Sequence, residues 1–247
     1  MFDLAQYIAL FKEAAAKHDG LIIVCREDAT NSCIVNKIIS QGTPVVCVTT
    51  DISGTIRLGC VTMDHVSAGR TARSLMGRFI GDKQGEVVLV VSAPYRSQYE
   101  RELGFRRIIR EQYPNLVIRE SLNNHDLDEE SYQSLMSLFK SGIKPLGVYS
   151  LAGGTSGVAS AIKDMGWSKE VVYIGHELNE GSYQLLTEND IDIIIDQDLH
   201  VEVVSAVNVL LHCHQVLDQA PVYTPSAPII THENMGLRMP PTFGEPL

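Results

Sequence analysis

Polar side chains able to hold a ligand recur in this chain at one kind of place, directly after a short apolar run. Arg26-Glu27-Asp28, Thr50-Asp51, Asp64-His65, Ser92 with Tyr95-Arg96-Ser97, Ser121 with Asn123-Asn124, Ser150, His176-Glu177 and Asp196-Gln197 all stand there. Carboxylates accept from adjacent hydroxyls and a guanidinium donates in a fork, so such a set suits a polyhydroxylated small molecule. Loops are also polar simply because they meet water, and composition alone does not choose between the two explanations. Gly-Gly-Thr-Ser-Gly at 153–157 suggests different chemistry, because a glycine turn that opens a helix can cradle phosphate. Glu177 lies 20 residues beyond Gly157, the spacing of the ribose-binding acid in a dinucleotide site. The strict Gly-x-Gly-x-x-Gly pattern is missing, so tight helix–strand packing and another small-ligand site stand beside the nucleotide reading.

Nothing in the sequence demands catalysis. His176-Glu-Leu-Asn-Glu180 has the start of the zinc motif His-Glu-x-x-His, but Glu180 replaces its second histidine. His212 and His214 are two apart and cannot share a helix face. No Gly-x-Ser-x-Gly elbow is present. We therefore expect a non-enzyme with no catalytic residue, no metal ligand and no cofactor.

The elements that must carry these side chains alternate along the chain. Strands are predicted at 21–25, 45–49, 59–63, 86–91, 116–119, 146–149, 171–174 and 191–195, most of them continuously apolar, as strands buried on both faces are. Helix-period stretches lie at 4–17, 32–40, 66–80, 97–112, 128–140, 156–165, 180–188 and 201–217. That alternation is α/β, with parallel sheet covered by helices on both faces. Asn31-Ser32 offers an N-cap, Gly142 and Gly166 follow helices as C′ glycines, and Asp128-Glu-Glu puts negative charge at a helix start. Polar breaks at 81–85 and 196–200 allow one open sheet or two lobes crossed more than once by the chain. From Gln219 onward, prolines predict irregular chain beyond a short strand at 228–231. The chain opens on a helix where a parallel sheet would open on a strand, so sequence before Met1 is expected.

Composition narrows the function further. The 247 residues include 45% hydrophobic side chains, ample for a core. Twenty basic against 30 acidic residues give a net charge of −10, a poor surface for gripping nucleic acid unaided. Five scattered cysteines without C-x-x-C spacing read as buried free thiols in a reducing compartment. No apolar run approaches the ~20 residues of a membrane span, and the first residues lack the pattern of a secretory signal. Cytoplasmic location and no membrane partner are the expectations.

Five motifs, in order, carry a family likeness: Asp64-His-Val-Ser-Ala-Gly-Arg-Thr-Ala, Tyr99-Glu-Arg-Glu-Leu-Gly-Phe105, Gly157-Val-Ala-Ser-Ala-Ile, Ile174-Gly-His-Glu-Leu and Ile194-Ile-Asp-Gln-Asp198. The series resembles the sugar-binding domain of lactose/galactose-repressor (LacI/GalR) transcription regulators, over nearly the whole chain. The resemblance implies two Rossmann-like lobes with parallel sheets, of the type I periplasmic-binding-protein-like kind, with a ligand between them. It implies an N-terminal lobe of 1–83 plus 198–224, a C-terminal lobe of 84–197 plus 225–233, and an irregular tail at 234–247.

Its implied ligand residues are Asp64 as hydroxyl acceptor or helix N-cap, Arg101 as donor, Glu177 as acceptor and Gln197 at the crossover. Tyr95 is a candidate for stacking on a sugar ring, and Ser150 stands where family members carry Asn or Asp. The family's helix-turn-helix and first strands have no counterpart, so the N-terminal lobe is expected to be incomplete and the chain truncated. The function implied is the effector domain of a homodimeric regulator that binds a carbohydrate-like small molecule and touches DNA only through the absent head. A sugar receptor of a transport system is the alternative in the same fold, and a nucleotide-dependent α/β enzyme the alternative outside it.

Overall fold

A computed structural model describes residues 4–92, 95–219 and 221–237. The part of the predicted tail at 238–247 lies outside the described residues. The chain divides into two compact units, one of residues 1–63, 94–97 and 198–226, the other of 64–93, 98–197 and 227–247.

The first unit is built on a three-stranded parallel sheet of β1 (Leu21–Ile23), β2 (Val45–Val48) and β3 (Gly59–Val61), in that order. Both faces of β2 are buried, which is why its sequence is continuously apolar. On one face, α1 (Leu4–Lys17) and α2 (Ala29–Ser40) bring Phe11, Ala14, Val35 and Ile38 onto Leu21, Ile23, Val45 and Cys47. On the other, α8 (Leu199–Cys213) brings Ala206, Val209 and Leu210 onto Val46, Val48 and Val61. The start of α2 differs from expectation. Asp28 is its N-cap, not the Asn31-Ser32 pair, because the Asp28 carboxylate reaches forward to accept from the Asn31 N–H at 2.8 Å.

The second unit carries a six-stranded sheet. Its strands are β4 (Gly85–Val91), β5 (Leu116–Asn123), β6 (Gly147–Ser150), β7 (Val172–His176), β8 (Ile193–Ile195) and β9 (Ile229–Ile230), ordered β5-β4-β6-β7-β8-β9. All pairs are parallel except the β8–β9 edge. Five helices belong here: α3 (His65–Ile80), nearly all of α4 (Arg96–Gln112), α5 (Asp128–Lys140), α6 (Thr155–Asp164) and α7 (Glu180–Glu188). Leu135, Phe139, Val158 and Ile162 from α5 and α6 cover one face over Val88, Val148 and Tyr173. Gly142 and Gly166 adopt positive φ just past α5 and α6, as C′ glycines do. After β5 the chain returns to the far side of β4 to lay down β6. That reversal makes the carboxyl ends of β4 and β6 the topological switch point, where ligands of open α/β sheets bind.

Candidate ligand-binding site

The switch-point edge is held by two glycines. A Cβ on Gly69 of α3 would stand 2.0 Å from the Arg101 carbonyl oxygen, and one on Gly104 of α4 would stand 2.1 Å from the Val66 carbonyl oxygen. Only residues without a side chain let these helices touch backbone to backbone. The amino end of α4 is fixed separately: Gln98 accepts from the Ser92 N–H and donates to the Ser92 hydroxyl, both at 3.0 Å, just past β4.

These constraints bury the Arg101 guanidinium, leaving it 3% exposed. Its Nε donates to His65 Nδ1 at 3.2 Å, Nη1 to the Leu151 carbonyl at 2.8 Å, and Nη2 to Gln197 Oε1 at 3.3 Å. A buried cation is tolerable only when its donors are matched in this way, since desolvation otherwise costs several kcal/mol. A column of rings lies in the same unit. Phe105 stacks on Tyr149 with centroids 4.7 Å apart, and the Tyr149 hydroxyl lies 2.7 Å from His176 Nε2. Burial pushes the Tyr149 hydroxyl up, so it keeps its proton and donates. Burial first, then the nearby Arg101 cation, holds His176 well below its ordinary 6.5, so it accepts as a neutral ring.

The six residues singled out in the sequence divide as follows. Arg101 and Gln197 bond to each other. Asp64 is exposed and caps α3, its carboxylate accepting from the Ser67 N–H at 2.9 Å and the Ser67 hydroxyl at 2.7 Å. Those two bonds hold its carboxyl below the ordinary 3.8. Ser150, wholly buried at the end of β6, donates to the Ala152 carbonyl at 3.1 Å. Glu177 is exposed just past β7 in a left-handed conformation (φ 68°), and its carbonyl accepts from the Ser182 hydroxyl. Tyr95 belongs to the first unit, where the Arg26 guanidinium lies 5.9 Å from its ring centre. The side chains of Ser121 and Asn123 lie outside those described.

Sequence reasoning noted His65 and His176 only as members of polar pairs, His176 also as the start of a zinc motif, and passed over Tyr149. Each histidine stands beside an acid that drew attention instead, yet the acids are exposed and the histidines buried. For His176 the signal was the apolar run of β7, which carries the next residue inward, whereas His65 follows the exposed Asp64 and had no such signal.

The glycine turn at 153–157 does not hold phosphate. The Gly153 N–H donates to Asp126 Oδ1 at 2.8 Å and the Gly157 N–H to Asp128 Oδ1 at 3.1 Å, so two carboxylates stand at the turn and would repel an anion. Packing explains the glycines: a Cβ on Gly157 would lie 1.9 Å from the Asp128 carbonyl oxygen. His176 and Glu177 are likewise unsuited to share a metal, one in the core and the other in solvent. His212 and His214 bond to the carbonyls of Leu217 and Asp19. The thiols also depart from expectation in part, since Cys25 and Cys47 are buried but Cys33 and Cys213 are exposed.

Residues 2–213 match the family model described as the periplasmic binding protein domain. Among solved structures, GanP, a glucose-galactose binding protein from Geobacillus stearothermophilus, is 21% identical with a TM-score of 0.85, over 94% of this chain and 84% of that one. AraP, an arabinose binding protein from the same organism, is 22% identical with a TM-score of 0.78, over 95% and 84%. A carbohydrate transporter solute binding protein from Agrobacterium radiobacter, in complex with D-arabinose, is 19% identical with a TM-score of 0.84, over 94% and 81%. No curated protein matches the chain.

Proposed function

Because the chain belongs to the periplasmic binding protein domain family, we propose that it binds a monosaccharide-class solute without transforming it, on the polar edge of the second unit. The observation that carries this reading is the Arg101 guanidinium, fixed at the switch point among neutral acceptors from His65, Leu151 and Gln197. Fixed donors of this kind orient a hydroxyl-rich guest without losing freedom when it arrives. Exposed carboxylates of Asp64 and Glu177 follow β3 and β7 and supply acceptors. The three related structures are described as binding proteins for sugars, which supports a receptor of transport type over a catalyst. The effector domain of a transcription regulator is the second reading, favoured by the five ordered motifs. In that role the chain would be a cytoplasmic homodimer, with DNA reached only through a separate head.

Thermal unfolding in the presence of D-arabinose, D-galactose, D-glucose and NAD tests the proposal. A sugar should raise the melting temperature in proportion to the logarithm of its concentration above Kd, and Arg101→Ala, shown by circular dichroism to be folded, should remove the effect. Stabilisation by NAD with none by any sugar would overturn it.

A further inference from the structure

The contact between Arg101 and His65 has a chemical consequence. A guanidinium has only donors, so a ring nitrogen that receives its Nε–H must present a lone pair. At 3.2 Å, with both residues buried (His65 is 2% exposed), Nδ1 of His65 is that acceptor. The proton of the ring therefore sits on Nε2. Protonating Nδ1 would turn an acceptor into a second donor facing a cation, and the bond would be lost.

We propose that His65, as the neutral Nε2-protonated tautomer, is the positioning residue that sets the plane of the Arg101 guanidinium and so the affinity of the site for its solute. The proposal rests on the solute-binding reading only for its affinity arm. Three features of the fold place the pair. Asp64 caps α3 immediately before His65, Gly69 admits α4 one turn further on, and Gly104 seats α4 against Val66. Among the described residues, the charged and titratable groups that bear on the ring include Arg101 from α4, His176 from β7 and the adjacent Asp64. Arg101 opposes protonation of His65, Asp64 is exposed and bonded to Ser67, and His176 is neutral. With Nε held by His65, Nη1 and Nη2 reach Leu151 and Gln197 in one plane. Without it the guanidinium can turn about its last bond and both contacts lengthen.

The test uses the full chain as wild type, His65→Ala and His65→Asn, whose Oδ1 can take the place of Nδ1 as acceptor. Long-range proton–nitrogen spectra of histidine-labelled wild type at pH 7.5 should show His65 bare at Nδ1 and protonated at Nε2. An Nδ1-protonated ring or an imidazolium overturns the proposal whether or not any sugar binds. Exchange of the Arg101 Nε proton should quicken at least tenfold in His65→Ala and less than threefold in His65→Asn, and equal rates in all three proteins refute it. For whichever sugar stabilises the wild type, Kd should rise at least tenfold in His65→Ala and no more than threefold in His65→Asn. Sugar binding that is unchanged in His65→Ala defeats the positioning role while leaving the solute-binding function standing.

Discussion

His176 gives the most quantitative check on the buried ring column. It is almost wholly buried, bonded through Nε2 to Tyr149, and held neutral well below its ordinary 6.5 by burial and by Arg101. The unfolded chain releases that constraint and takes up a proton near pH 6.5. A group with a depressed folded pKa gives stability that is present in full above the unfolded value and is lost as pH falls toward the folded one. Below 6.5 the unfolded state binds the extra proton, so stability falls with a limiting slope of about 1.4 kcal/mol per pH unit. Between pH 7.5 and 5.0 this one ring can cost the protein at most about 2 kcal/mol. His176→Gln keeps an acceptor for Tyr149 and removes the titration. Urea unfolding of both proteins across that range should show the wild type losing more than the variant, by up to about 2 kcal/mol, since all other groups cancel in the difference. Parallel losses in the two proteins would refute the claim that a neutral imidazole is locked beside Arg101.

Further outcomes follow from single contacts. Asp64→Ala should destabilise the protein by about 1 kcal/mol in urea unfolding, and Asp64→Asn should recover most of it, because the amide oxygen still caps Ser67. The carboxyl is held low, so the charge-dependent part of that stability is present at neutral pH and is lost only as pH falls below the ordinary carboxylate range. Gly104→Ala drives a methyl into the Val66 carbonyl; a loss of about 1–3 kcal/mol is expected, together with lost sugar affinity, and a neutral result would mean that the helices part freely. At pH 8, a thiol reagent should label Cys33 and Cys213 quickly in the native protein. Cys25 and Cys47 should react only on unfolding, since burial removes access and pushes their thiols up to about 12 and about 11; fast labelling of either would contradict the packing of the first unit.

The α/β order was legible because parallel strands buried on both faces leave continuous apolar runs, and each predicted strand and helix has a counterpart within a few residues. The ends were less legible. The cap of α2 is set by which side-chain oxygen reaches forward to an N–H, and Asp28 and Asn31 are both good caps in sequence. The 153–157 turn shows the larger gap. Glycines that admit phosphate and glycines that admit a neighbouring backbone look alike until Asp126 and Asp128, 25 or more residues earlier, are seen at their N–H groups. Arg101 and Gln197 were found by likeness to a family, because nothing local in α4 distinguishes a buried arginine from one in solvent. Their contact spans 96 positions in the chain.

The two dipeptides Asp64-His65 and His176-Glu177 show how the fold divides work between neighbours. A residue that closes a strand or opens a helix turns its side chain to one side of the chain and hands the next to the other. In both pairs the histidine goes inward and the acid outward. Inside, water is excluded, so a neutral ring can accept from a cation or a phenol without competition and fix its direction. Outside, a carboxylate keeps its charge at little cost and remains open to a hydroxylated solute. Exchanging the two roles would bury an anion in the core and leave an imidazole in solvent with no guanidinium to orient. Under the proposed function, specificity for the solute thus lies in the exposed acids, and the precision with which it is held lies in the histidines behind them.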